Sequence, residues 1–359
     1  MSACSLSSLL RRIVRLGFRL LTVVVLVGMA LWATLAVYFS NLPAGGWRAC
    51  AAIVYAVILG VVLWRVRPGW LARLVFLGTI AWVILWFLFT PPSNQRDWQP
   101  DLAILPYAEV NGDQVTLHNI RNCEYRSESD FTVRHYDKTF DLARLRSVDF
   151  FVVYWGSPMI AHTMLSFGFE GGDHVCFSIE TRKEMGEAYS AVKGFFRQFE
   201  LTYVVGDERD LVRLRANFRG EQVYLYRLNT DLAVARLVLR DYLKQVNRLK
   251  DRPEWYHALT SNCTTNIRGH TKPYARNVRF DWRILLNGQI DELAYERKTL
   301  YQGLPFGELK ARSLINDRAK AADQDAAFSA RIREGLPGFT TVGTAKPSAA
   351  DLAFLTGLE

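Results

Sequence analysis

The chain has 359 residues, half of them apolar, and a formal net charge of +9. Nine of its 44 basic residues, and none of its 35 acidic ones, lie in residues 1–96, so the rest of the chain is formally neutral. The basic balance belongs to one end, and no basic, aromatic-interleaved stripe marks a nucleic-acid surface.

Three long apolar runs come first, at 16–39, 47–64 and 71–89. Each approaches the ~20 residues that cross a hydrocarbon core of ~30 Å. The first is too long for the apolar stretch of a signal peptide. Arg11, Arg12, Arg15 and Arg19 precede it, and Arg65, Arg67 and Arg73 surround the second loop, whereas the first loop carries only Arg48. By the positive-inside rule the N-terminus and the second loop are cytoplasmic, and everything after about residue 90 lies outside. Residues 1–95 are therefore expected to form a membrane region.

Residues 96–316 are long enough for one domain with its own core. Strands are expected on either side of Asn111-Gly112, over 150–155, over 162–169 and 175–179 around Gly171-Gly172, and over 223–228. A two-residue Gly-Gly turn sets His162 opposite Thr181, with Glu180 one step away. A longer loop centred near Gly168 sets His174 opposite His162 instead. Leu232, Ala235, Leu239, Tyr242, Val246 and Leu249 recur at helical spacing behind Thr230-Asp231. Shorter helices are expected over 184–200, 256–268 and 291–300. The Ala-, Asp- and Gly-rich stretch 317–359 reads as a loose tail. The fold class is α+β: an antiparallel sheet with helices packed on it, behind three membrane helices.

Two residues carry the chemistry. Cys263, in Ser261-Asn262-Cys263-Thr264-Thr265, stands where a polar loop enters a helix, a position that lowers a thiol's pKa. His162, in Ala161-His162-Thr163, opens an expected strand. A thiol at a helix start with an imidazole on a neighbouring strand is the geometry of a cysteine nucleophile and its base. Cys123 and Cys176 are the other cysteines of this half; an odd number leaves at least one thiol over, and if these two pair it is Cys263. His257 and His270, six and seven residues from Cys263, would lie nearly two turns away along one helix, too far for a direct hydrogen bond, and His118, His135 and His174 are further alternatives to His162. Glu180 or His174 would orient the base. Asn262, Thr264 and Arg182 are candidates to contact substrate. Glu208-Arg209-Asp210 reads as a solvated charge run. No metal-ligand cluster and no cofactor motif is present.

The ordered set His162-Thr163-Met164-Leu165-Ser166-Phe167-Gly168-Phe169, Phe177-Ser178-Ile179-Glu180-Thr181-Arg182, Glu208-Arg209-Asp210 and Asn262-Cys263-Thr264-Thr265 resembles the Lnb N-terminal periplasmic domain family, which includes bacterial lipoprotein N-acyltransferases. The resemblance covers about residues 100–310. It implies a permuted papain-like domain related to the NlpC/P60 group, held by the inner membrane and facing the periplasm. It also implies a cysteine acyltransferase or amidase with Cys263 as nucleophile, His162 as base, and Glu180 in support. A membrane lipid or lipoprotein is the expected substrate. A cell-wall peptide amidase and a non-catalytic membrane-anchored binding or assembly module are the alternatives.

Overall fold

The structure, a computed structural model, describes residues 3–40, 46–65, 69–274 and 280–339. Arg67 and residues 340–359 of the expected tail lie outside them. The chain forms two compact units, one of residues up to Pro92 together with Val192–Gln198, the other of Ser93–Ala191 and Phe199 onward.

The first unit holds helices α1 (Ala3–Tyr38), α2 (Gly46–Arg65) and α3 (Gly69–Phe89). All three are long and apolar enough to cross a membrane, over Leu10–Tyr38, Gly46–Arg65 and Gly69–Phe89. Ala33, Ala36, Leu59, Phe76, Ile80 and Val83 pack between them. Helix ends leave carbonyls without intrahelical partners. Here Val192–Gln198 supplies donors. Arg197 donates to the carbonyls of Phe87 (2.7 Å) and Leu88 (3.0 Å), and the Gln198 amide donates to that of Phe39. Phe196 stacks on Phe39 with ring centroids 5.3 Å apart. The sequence predicts a helix over 184–200. Only α4 (Ala191–Phe195) forms there, because Gly186 and Arg197 both take positive φ and break it at either end.

The second unit is built on one sheet. Its strands are β1 (Tyr107–Asn111), β2 (Gln114–Arg121), a small hairpin of β3 (Glu124–Tyr125) and β4 (Phe131–Thr132) outside the sheet, then β5 (His135–Asp141), β6 (Leu145–Tyr154), β7 (Ala161–Phe169), β8 (His174–Arg182), β9 (Glu200–Gly206) and β10 (Gln222–Arg227). The order is β1-β2-β9-β8-β7-β6-β10, with β5 also on β2. Pairing is antiparallel except for one β2–β9 contact. The α+β expectation holds.

Helices follow: α5 (Glu208–Arg213), α6 (Leu232–Asp251), α7 (Cys263–Thr271), α8 (Ile290–Glu296), α9 (Phe306–Arg312), α10 (Asn316–Ala321) and α11 (Phe328–Arg331). Asp231 caps α6 through the backbone N–H groups of Ala233 and Val234, as its position before the periodic run predicts. The sheet is covered on both sides. Val148, Phe150, Val152, Leu165, Phe167 and Phe177 pack with α6 and α8 on one face. Phe151, Val153, Met164, Cys176 and Val223 face the other way, against α5, α10 and α11.

That second face corrects the expected tail. Phe328, Ile332 and Leu336 are buried on the sheet, so residues 317–339 are part of the core. It also corrects the expected charge run. Glu208 and Asp210 are 0 % exposed. Arg333 pairs with Glu208 (2.6 Å) and Asp149 (2.7 Å), and Arg121 pairs with Asp210 (2.8 Å). Buried carboxylates persist only with such partners. Cys123 and Cys176 are free thiols in separate core clusters rather than a disulfide.

Candidate active site

The β7–β8 hairpin sets the register. Met164 pairs with Ser178 and Gly168 with His174. This is one residue off the register a two-residue Gly-Gly turn requires, because the loop closes from Phe169 to Asp173. A one-residue shift moves side chains to the opposite face. It carries Glu180 to the level of His162 and leaves His174 beside Gly168, at the far end of the strand. Of the two candidates to orient the base, Glu180 is the one the fold brings there.

The β7–β8 ladder ends at Met164–Ser178, although the strands continue to Ala161 and Arg182. By alternation His162 shares the face of Met164, and Ser178 and Glu180 share that of Cys176. Helix α7 lies on the opposite face, where the Thr163 and Thr264 hydroxyls meet at 3.2 Å. The thiol and the imidazole meet where the ladder has opened.

Asn262 starts α7 with a capping box: its side chain accepts from the Thr265 N–H, and the Thr265 hydroxyl accepts from the Asn262 N–H. Cys263 is therefore the first residue of the helix, as its place at the end of a polar loop predicts, although the helix begins at 263 and not at the expected 256. Its buried thiol lies close enough to His162 for each group to shift the other's titration. On the other side of the ring, Nε2 lies 2.7 Å from the Ser178 hydroxyl and 3.4 Å from Glu180. Ser178 donates its proton to Glu180 at 2.6 Å. Its oxygen therefore accepts from Nε2–H, and Nδ1 is the basic nitrogen left for the sulfur. Arg215 donates to Glu180 from a buried π-helical turn, Leu214–Phe218. Such turns concentrate at functional sites.

The electrostatics follow. Burial alone would pull His162 down, but the charges of Glu180 and of the Cys263 thiolate outweigh it and raise it to about 9. Burial pushes the Cys263 thiol up, but the His162 charge and hydrogen bond, with help from Thr163, bring it down to about 7. Burial likewise opposes ionisation of Glu180, and His162 and Arg215 overcome it, holding the carboxylate well below its usual range. Between these limits the pair is a thiolate beside an imidazolium.

The remaining expected site residues have structural partners. Asn262 is spent on capping. Thr264 accepts from the Asn287 amide at 2.6 Å. Arg182 is buried, donating to the carbonyls of Leu102 and Ala103 and to Asn94, with its guanidinium over Trp98. Three site residues escape the sequence reading: Ser178, Arg215 and Asn287. Asn287 also donates to the Ala161 carbonyl and lies 3.9 Å from the sulfur. Ser178 is visible two residues before Glu180 on one strand face. Nothing in the sequence distinguishes Arg215 from other arginines or Asn287 from other loop amides. Among the described residues no cluster of His, Cys, Asp and Glu is arranged to hold a metal.

Beside Cys263 and His162, on the α7 face of the sheet, lies a narrow apolar cavity. Thr163 and Thr264 border it at the thiol, Leu165, Phe167 and Val238 line it, and Arg268, Lys272 and Arg297 stand further along. No curated protein and no solved structure matches the chain. Residues 132–288, which include Cys263 and His162, match the family described as the Lnb N-terminal periplasmic domain.

Proposed function

We propose that this protein is a membrane-anchored thiol acyltransferase acting on lipid or lipoprotein acyl groups outside the cytoplasm. The electrostatically coupled Cys263–His162 pair at the start of α7, with Ser178 and Glu180 behind the imidazole, carries the reading. The Cys263 thiolate attacks an acyl carbonyl and forms a carbon–sulfur bond. The His162 imidazolium then gives its proton to the departing alcohol or amine as the bond to the acyl carbon breaks, leaving a thioester. An amine or water attacks the thioester, His162 takes the attacking group's proton, and the thiolate is released. Backbone N–H groups at the start of α7 are suited to hold the oxyanion. The arginine distribution of the helical region supports a cytoplasmic N-terminus and a periplasmic domain.

The apolar cavity favours an acyl chain over a cell-wall peptide. Filling it with Val238→Phe should slow transfer from a long-chain donor roughly tenfold. Transfer from a short-chain donor, and alkylation of Cys263, should be unchanged. The assay uses the full chain in nanodiscs with acyl-labelled lipid. Turnover of cell-wall peptide but not of lipid would reverse the substrate assignment.

A further inference from the structure

Around the dyad the chain exposes apolar side chains that a water-facing rim does not need. Met159 is 60 %, Phe280 62 % and Trp282 56 % exposed, and Ile160, Leu259 and Leu286 are exposed as well. They belong to three segments tied to the site. Met159 and Ile160 lead directly into β7 and His162, and the Met159 carbonyl accepts from the Gly288 N–H at 3.0 Å. Leu286 adjoins Asn287, which clasps the Ala161 backbone through its side-chain amide and carbonyl. Leu286 also donates its N–H to the Trp282 carbonyl at 3.1 Å. Leu259 stands in the loop that delivers Cys263, and the Arg268 guanidinium of α7 lies over the Phe280 ring, 6.0 Å from its centroid.

We propose that this rim is a membrane-docking surface that enters the headgroup–acyl boundary of the lipid leaflet around the dyad. Tryptophan, phenylalanine and methionine at the tip of a surface, with arginine and lysine beside them, suit that boundary, where rings bury and cations meet anionic headgroups. Arg268 and Lys272 supply those cations, while Arg283 is already closed in ion pairs with Asp281 and Glu296. The leaflet is within reach by chain length. Ser93, the first residue of the sheet-bearing unit, follows the end of α3 at Phe89 by four residues, which extend at most ~14 Å. The proposal concerns location and does not depend on the acyl-transfer chemistry.

The test places a nitroxide at Met159→Cys or Trp282→Cys in the full chain in anionic nanodiscs, with Cys4, Cys50 and Cys263 replaced by serine. Glu170→Cys, exposed at the opposite end of β7, is the control. Both rim sites are exposed, so the substitutions remove no core packing. Oxygen concentrates in lipid and a nickel chelate stays in water. The proposal predicts several-fold more relaxation by oxygen than by nickel at the rim sites, and the reverse at position 170. Rim labels relaxed by nickel as strongly as the control would overturn it. Labels shielded from both reagents would also overturn it, by showing a protein contact such as a second copy.

Discussion

Replacing His162 with alanine should slow acyl transfer by ~10²–10⁴-fold, the usual contribution of a positioned acid–base group. Alkylation of Cys263 at pH 7 should fall much less, by roughly five- to tenfold, because a thiol of higher pKa is scarcer as thiolate but more nucleophilic once formed. The two readouts separate the two roles of the imidazole. In the wild type the alkylation profile should rise with a midpoint near the thiol's value of about 7. Without the imidazolium only burial remains as a strong influence, so the midpoint moves up. Glu180→Gln should act in the same direction by a smaller step. It removes the charge that holds His162 at about 9, so the imidazolium is lost at lower pH and the thiolate loses its partner sooner. An unchanged midpoint in both variants would show that the pair is not electrostatically coupled.

Arg333→Ala should destabilise the sheet-bearing unit by ~3–5 kcal/mol, since it strands Glu208 in the core and leaves Asp149 to Arg227. For a unit of this size that lowers the melting temperature by roughly 10 °C. Arg333 is held between Asp149 and Glu208, and Ser166 adds a hydroxyl to Glu208 at 2.5 Å. Burial disfavours ionised Glu208, but Arg333 and then His174 bring it down to about 2. A depressed carboxylate stabilises the fold above its unfolded value and loses that effect as pH falls through its folded value. The wild type should therefore lose this contribution between about pH 4.5 and 2. In Arg333→Ala the deficit should shrink as acid neutralises the stranded Glu208. Thermal melts at pH 7, at pH 4 and at about pH 2.5 read both effects. A melting temperature unchanged at pH 7 would mean that the C-terminal segment does not lock the second face.

What the sequence makes legible follows from local patterns. Apolar length marks α1–α3, the Asp231 cap and its periodic run mark α6, and Asn262 before Cys263 marks the start of α7. Glycine pairs locate the hairpins but not their register, because a loop from Phe169 to Asp173 and a two-residue turn use the same glycines. The second face of the sheet is hidden. Its cover comes from short polar-flanked helices whose apolar residues, Phe328, Ile332 and Leu336, are too few to stand out in an Ala- and Asp-rich stretch. For the same reason Glu208 and Asp210 read as solvated: their arginine partners, Arg333 and Arg121, are 125 and 89 residues away. The dyad is readable because thiol and imidazole are rare and chemically specific. Arg215 is not, because its role comes from a π-helical turn that sequence periodicity does not reveal.

The central claim is a covalent acyl-cysteine, and the most direct measurement is peptide mass after acid quench. The full chain in nanodiscs is supplied with a lipid acyl donor and no amine acceptor, so that the intermediate accumulates. The peptide containing Cys263 should gain the mass of the donor's acyl chain, lose it to neutral hydroxylamine, and show none in Cys263→Ala. An unmodified Cys263 while the donor is being consumed, or an acyl group on another residue, would contradict it.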